Sequence, residues 1–321
     1  MKKIFLTLAA FMLAMLCACA PKTEAEPPAI EPAISETKAP VSQPETVSME
    51  AVPRKTGVQE ENGAYYYFLS DGSAAQETGL QVFDGKTYYL NEDHSLHRFA
   101  LGINDCEGSI FVHEGEEGFA FSPHEAGLFE LDGALYDVQP DGSVLRDAQD
   151  GVLYFGADGR YTSGSAELDE KIETFLTDNC GEAASREEAL KQSFDAIRDN
   201  FRYLSMQHYD AGTTDWAEEA ALTFLEQGKG NCYCFAGLFL YCARRLGYQA
   251  TVVAGWESKP TNDHAWVMIE QDGRSLLYDP QLEYAYLYMF GRDPVDMFAA
   301  EGENGNYRGF QYYFPERQEV S

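Results

Sequence analysis

The chain has 321 residues, 45% of them apolar and 13% aromatic, which is enough for about two domains with cores of their own. Its formal charge of −30 excludes a nucleic-acid binder, because phosphates require a basic stripe on the protein. An acidic surface of this kind is otherwise a matter of solubility, or suits a cationic substrate.

In chain order, Lys2 and Lys3 precede an apolar run from Ile4 to Leu16, an export signal too short to span a bilayer as a stable helix. The next residues, L-C-A-C, resemble a bacterial lipobox, with Leu16 three before Cys19 and Ala18 just before it. The resemblance implies a lipoprotein signal peptide over 1–19 and lipidation of Cys19 as the mature N-terminus. The protein would then be exported and anchored by lipid at the outer face of the cell membrane; a plain secreted protein is the alternative.

Residues 20–57 are rich in Pro, Ala, Glu, Ser and Thr, and seven of the 13 prolines fall between Pro21 and Pro53. This composition cannot form a core and reads as a disordered tether. At about 3 Å per residue it reaches up to roughly 100 Å from a membrane.

Residues 58–164 alternate short aromatic strands with D-G turns. Their leading glycines are Gly63, Gly85, Gly108, Gly133 and Gly151, at spacings of 22, 23, 25 and 18, an imperfect repeat of β-hairpins. The segment resembles bacterial cell-wall-binding repeats, which stack hairpins and hold glycan or choline on aromatic side chains. No tryptophan lies in it, all three being Trp216, Trp256 and Trp266. Cages for quaternary ammonium groups favour tryptophan, so the resemblance points to cell-wall glycan, with a structural spacer as the alternative.

From residue 165 the pattern turns helical. Leu168, Ile172 and Phe175/Leu176 form one apolar stripe, and Leu190, Phe194, Ile197 and Phe201 form another behind a Ser185/Glu188 capping box. Asp215 is placed to cap a third helix, Trp216 to Leu225. Next comes G-K-G-N-C-Y-C-F-A-G-L-F-L-Y-C-A-R-R-L-G, Gly228 to Gly247. Asn231 reads as an N-cap, and Phe235, Leu238, Phe239, Cys242 and Leu246 as a buried face. Cys232 falls in the first turn, where the helix dipole favours thiolate. A strand follows over 248–254, a loop over 255–262, then D-H-A-W-V-M-I-E, a D-G turn at Asp272 and Gly273, and S-L-L-Y-D-P. A two- or four-residue loop centred on that turn pairs residues whose numbers sum to 545. Asp279 then lies opposite Trp266, on the same face as His264 and within diagonal reach of it. Cys232, His264 and Asp279 thus read as nucleophile, base and orienting acid.

The order Cys, H-A-W, D-P, with G-x-C-x-x-F-A before R-R-L-G, resembles the transglutaminase-like superfamily over roughly residues 166 to 285. The resemblance implies an α+β papain/transglutaminase-like domain over 165–321, preceded by the all-β hairpin-repeat region. It assigns Cys232 rather than Cys234 as nucleophile, because Cys232 sits four residues before Ala236. Gly255-Trp256 matches the family's glycine-aromatic pair, and Trp256 and Trp266 are candidates for the substrate cleft. The implied chemistry is acyl transfer on peptide or protein amides, hydrolysis ahead of cross-linking, with no cofactor. The alternative is a surface binding protein or adhesin whose fold has lost activity and whose repeats hold glycan. A zinc site from Cys232, Cys234, Cys242 and His264 lacks the usual C-x-x-C spacing. With Cys232 catalytic, Cys106, Cys180, Cys234 and Cys242 allow two disulfides of unassigned pairing. The aromatic segment after Tyr284 is expected to pack on the domain or flank the cleft.

Overall fold

A computed structural model describes residues 54–315. The export signal, Cys19 and all of the tether except residues 54–57 lie outside the described residues. Among the described residues no helix is long and apolar enough to cross a membrane.

Four antiparallel hairpins come first: β1 (Gly57–Glu61) with β2 (Ala64–Phe68), β3 (Gly79–Phe83) with β4 (Lys86–Leu90), β5 (Gly102–Cys106) with β6 (Ser109–His113), and β7 (Gly127–Leu131) with β8 (Ala134–Val138). Each closes through two residues at positive φ: Asn62-Gly63, Asp84-Gly85, Glu107-Gly108 and Asp132-Gly133. Such turns match the twist of the strands they join, which is why an N-G or D-G pair marks a hairpin. The predicted leading glycines are therefore turn residues. After three of the hairpins an aspartate closes a second turn on a serine amide: Asp71 on Ser73, Asp93 on Ser95 and Asp141 on Ser143. The first hairpin starts at Gly57, one residue inside the segment assigned to the tether. A short three-stranded sheet, β9 (Ala148–Asp150), β10 (Leu153–Phe155) and β11 (Tyr161–Thr162), ends the region.

Helices α1 (Ala166–Cys180) and α2 (Arg186–Asn200) bury the predicted stripes. Glu188 accepts from the Ala184 amide, and its own amide donates to Ser185 Oγ. Strand β12 (Arg202–Tyr203) pairs in parallel with β13 (Lys229–Gly230), and α3 (Ala217–Gln227) lies between them in sequence. Asp215 does not cap α3; the N-cap is Trp216, with no side-chain capping bond. Trp216 Nε1 instead donates to Thr213 O at 2.8 Å.

Helix α4 (Cys232–Arg245) is buried along almost its whole length and all round, not on one face. A helix apolar on every side is a core helix. It packs against α1, α2, α3 and the sheet. Gly237 permits this, since a Cβ there would lie 2.7 Å from Ala217 O. The sheet runs in the order β16 (Arg274–Tyr278), β15 (Asp263–Gln271), β14 (Gln249–Glu257), β19 (Phe310–Tyr313), β18 (Asn306–Tyr307), β17 (Gly302–Glu303). β14 extends to Glu257, so part of the predicted loop is strand. Between β16 and β17 lie the short helix α5 (Pro280–Tyr284) and a π-helical turn, Ala285–Met289. The aromatic C-terminal segment thus adds β19 directly to β14, pairing Trp256 with Tyr313 and Glu257 with Tyr312.

The hairpin region makes polar contacts with α1, α4 and the start of β14. Arg245 donates to Glu173 at 2.8 Å and to the Gly133 carbonyl at 2.5 Å, and Gln249 Oε1 accepts from the Val152 amide at 2.9 Å.

Candidate active site

The register of β15 on β16 pairs Val267 with Tyr278 and Gln271 with Arg274, numbers that sum to 545 across the two-residue turn Asp272-Gly273. That register brings Asp279, just past the end of β16, to His264 on the same face. His264 Nε2 donates to Asp279 Oδ2 at 2.6 Å. The Cys232 thiol, in the first turn of α4, bears on the same imidazole. Exposures of 4% for Cys232, 5% for His264 and 0% for Asp279 show that the cluster is closed from solvent.

Asp279 is held on both oxygens. Oδ1 accepts from the Leu282 amide at 2.9 Å, making Asp279 the N-cap of α5, and Oδ2 also accepts from the Tyr312 hydroxyl at 2.8 Å. Burial alone would pull the His264 imidazole down. The Asp279 charge and hydrogen bond, followed by the Cys232 thiol, outweigh it and hold the pKa well above the usual value. Burial, then the Asp279 charge, pushes the Tyr312 phenol well up, so it remains a donor.

Cys234 lies on another side of α4, where burial pushes its thiol up to about 11; the contacts of His264 are with Cys232. Cys106, Cys180, Cys232, Cys234 and Cys242 are all free and buried, so neither of the two disulfides is formed. Among the described residues no cluster of metal-ligating side chains forms.

Trp256 and Trp266 part company. Trp256 is half-buried near the end of β14 and pairs with Asp263, which puts it on the face of the sheet opposite His264. Trp266 is fully buried and does not line a cleft. It packs beneath the imidazole, ring centroids 6.1 Å apart, and edge-on to Tyr312 at 5.0 Å. Alternation along β15 puts it on the same face as His264, where Leu282, Met297, Tyr307 and Tyr312 share its apolar cluster. Gly255 makes room for this layer, since a Cβ would lie 2.6 Å from Tyr313 O and 2.7 Å from the Trp266 ring.

Asn231 occupies the N-cap of α4, but its side chain does not cap the helix. Its Nδ2 donates to Gln207 O at 2.9 Å, Tyr233 OH donates to Tyr209 O at 3.1 Å, and His208 Nδ1 pairs with Asp263 Oδ2 at 3.1 Å. Residues 207–209 are thereby fastened to the residues on either side of Cys232 and to the one before His264. The sequence reading found no role for His208 and did not find Tyr312. The alternation of F-Q-Y-Y-F marks a strand, but nothing local names its partner.

Residues 165–280 match the model of the transglutaminase-like superfamily. The segment is therefore a transglutaminase-like domain of α+β content, preceded in this chain by antiparallel β-hairpins. No curated protein sequence matches the chain. Among solved structures, a transglutaminase shares 16% identity over 42% of this chain and 36% of its own, with a TM-score of 0.32. A candidate cysteine protease from Cytophaga hutchinsonii shares 21% identity over 35% of this chain and 37% of its own, TM-score 0.28. Choline binding protein F from Streptococcus pneumoniae shares 21% identity over 34% of this chain and 41% of its own, TM-score 0.18. The chain thus spans less than half the length of each.

Proposed function

We propose that the protein is a thiol acyltransferase acting on peptide or protein amides, with water as the preferred acceptor. The observation that carries this reading is the closed chain of contacts from Cys232 through His264 to Asp279. In the proposed reaction the Cys232 thiol gives its proton to His264, and its sulfur attacks the amide carbonyl. The Cys232 backbone N–H, at the start of α4, helps hold the oxyanion. His264 then protonates the departing amine, leaving an acyl thioester on Cys232. Water, deprotonated by His264, attacks the thioester, the acid leaves, and the thiol is restored. Asp279 keeps the imidazole oriented and stabilises its protonated form. Hydrolysis needs no second binding site for an amine, which favours it over cross-linking.

The sequence of residues 1–57 supports a further proposal, that the enzyme works at the outer face of a bacterial membrane, tethered through Cys19. The aromatic hairpins would then hold cell-wall glycan near the enzyme. The test of the reaction is a library of peptide amides incubated with the wild-type protein and with Cys232→Ser. The expected result is release of amine or ammonia by the wild type alone, with a thioester on Cys232 trapped by rapid acid quench. Equal release by both proteins would overturn the reading.

A further inference from the structure

Strand β19 lies beyond residue 280, where the match to the superfamily ends, yet one of its side chains touches the site. Tyr312 is 1% exposed, and its hydroxyl donates to Asp279 Oδ2, the same oxygen that accepts from His264. The remaining oxygen is occupied by the Leu282 amide, and the Asp279 amide donates to Met297 O at 3.1 Å. The carboxylate therefore has one orientation, set from three places in the chain. The Tyr312 ring is fixed in turn. It meets Trp266 and Tyr307 edge-on, at 5.0 and 5.7 Å between centroids, and its amide donates to Gly305 O at 2.7 Å.

We infer that Tyr312 is a positioning residue of the thiol site, acting on His264 through Asp279, and that the functional domain extends to β19. This rests on the thiol-enzyme reading of Cys232 and His264. A buried carboxylate that accepts from a single imidazole can rotate or take up a proton. A second donor on the same oxygen opposes both, because hydrogen bonds to the charged form favour it. The phenol suits the task, since burial and the facing carboxylate keep it protonated. The ionisable groups that bear on the cluster are Cys232, Tyr233 and Cys234 from α4, Tyr203 from β12, His264 from β15, Glu257 from β14 and Tyr307 from β18, besides Asp279 and Tyr312 themselves.

The test is the rate of iodoacetamide alkylation at Cys232 across pH in four proteins: wild type, Tyr312→Phe, His264→Ala and the double variant. Thermal melting is measured alongside. Tyr312→Phe keeps the ring and removes only the hydroxyl. It is expected to melt within a few degrees of wild type and to react roughly five- to tenfold more slowly at neutral pH. The acid limb of its rate profile should move to higher pH. In the His264→Ala background the same change should have no further effect, because the tyrosine acts through the histidine. An equal slowing in both backgrounds, or collapse of the fold on loss of one hydroxyl, would make Tyr312 a packing residue and overturn the inference. A wild-type rate in Tyr312→Phe while His264→Ala is slow would overturn it and leave the thiol-enzyme reading standing. Wild-type rates in all four would remove both.

Discussion

The hairpin region and the transglutaminase-like domain are held together in different ways. Each hairpin pairs strands separated by two residues and contributes to small aromatic clusters, such as Tyr67, Tyr88, Leu90 and Leu96, shared with its neighbour. Stability there is a sum of nearest-neighbour terms, as in repeat proteins generally. The transglutaminase-like domain buries one large cluster around α4 and a second on the far face of its sheet, which joins β14 to a strand more than fifty residues later. The first architecture can lose a piece and keep the rest. The second assembles Cys232, His264, Asp279 and Tyr312 from four elements, so it forms as a unit or not at all.

Core truncations give the strongest test of this contrast. Phe239 and Leu90 are both fully buried, one in α4 and one in the second hairpin. Phe239→Ala should cost about 3–5 kcal/mol and Leu90→Ala about 2–5 kcal/mol. Their reach should differ. Hydrogen exchange should show Phe239→Ala loosening the whole transglutaminase-like domain, and Leu90→Ala loosening only the first hairpins while Cys232 reacts as in wild type. Global loosening by Leu90→Ala would break the comparison.

A smaller effect is expected at a hairpin turn. Gly85 has φ +73° with open space around it, so Gly85→Ala meets backbone strain alone. A loss of about 1–2 kcal/mol, measured by denaturant unfolding and confined to β3 and β4, is expected.

The smallest effect is one of pH and belongs to the transglutaminase-like domain. Because the folded pKa of His264 is raised, the stability contributed by its protonated form is complete below the unfolded value of about 6.5. That stability is lost as pH rises through the folded value. The melting-temperature gap between wild type and Asp279→Asn should therefore narrow by a few degrees between about pH 6 and strongly alkaline solution. A gap that widens would contradict the sign.

The sequence made local structure readable and left long-range structure hidden. The register that brings His264 to Asp279 follows from two residues, Asp272 and Gly273, because a two-residue turn fixes which strand positions face each other. The helical stripes of α1 and α2 were legible for the same reason: period and burial coincide. Asn231 and Asp215 looked like caps because their side chains can cap. In the fold Asn231 donates to Gln207 instead, and α3 begins after Trp216 without a side-chain cap. Trp266 read as a cleft residue, and it is buried by segments far along the chain, among them β19 paired to β14. Tyr312 was invisible because its importance depends on that same distant pairing.

The central claim is that His264 activates Cys232, and the most direct measurement is the alkylation rate of that thiol in wild type and in His264→Ala, with Cys232→Ser as the blank. The account predicts that wild-type Cys232 reacts faster than the other four buried thiols and that His264→Ala slows it by roughly tenfold or more. An unchanged rate in His264→Ala, with the fold intact, would mean that the three residues stand together without forming a working thiol site.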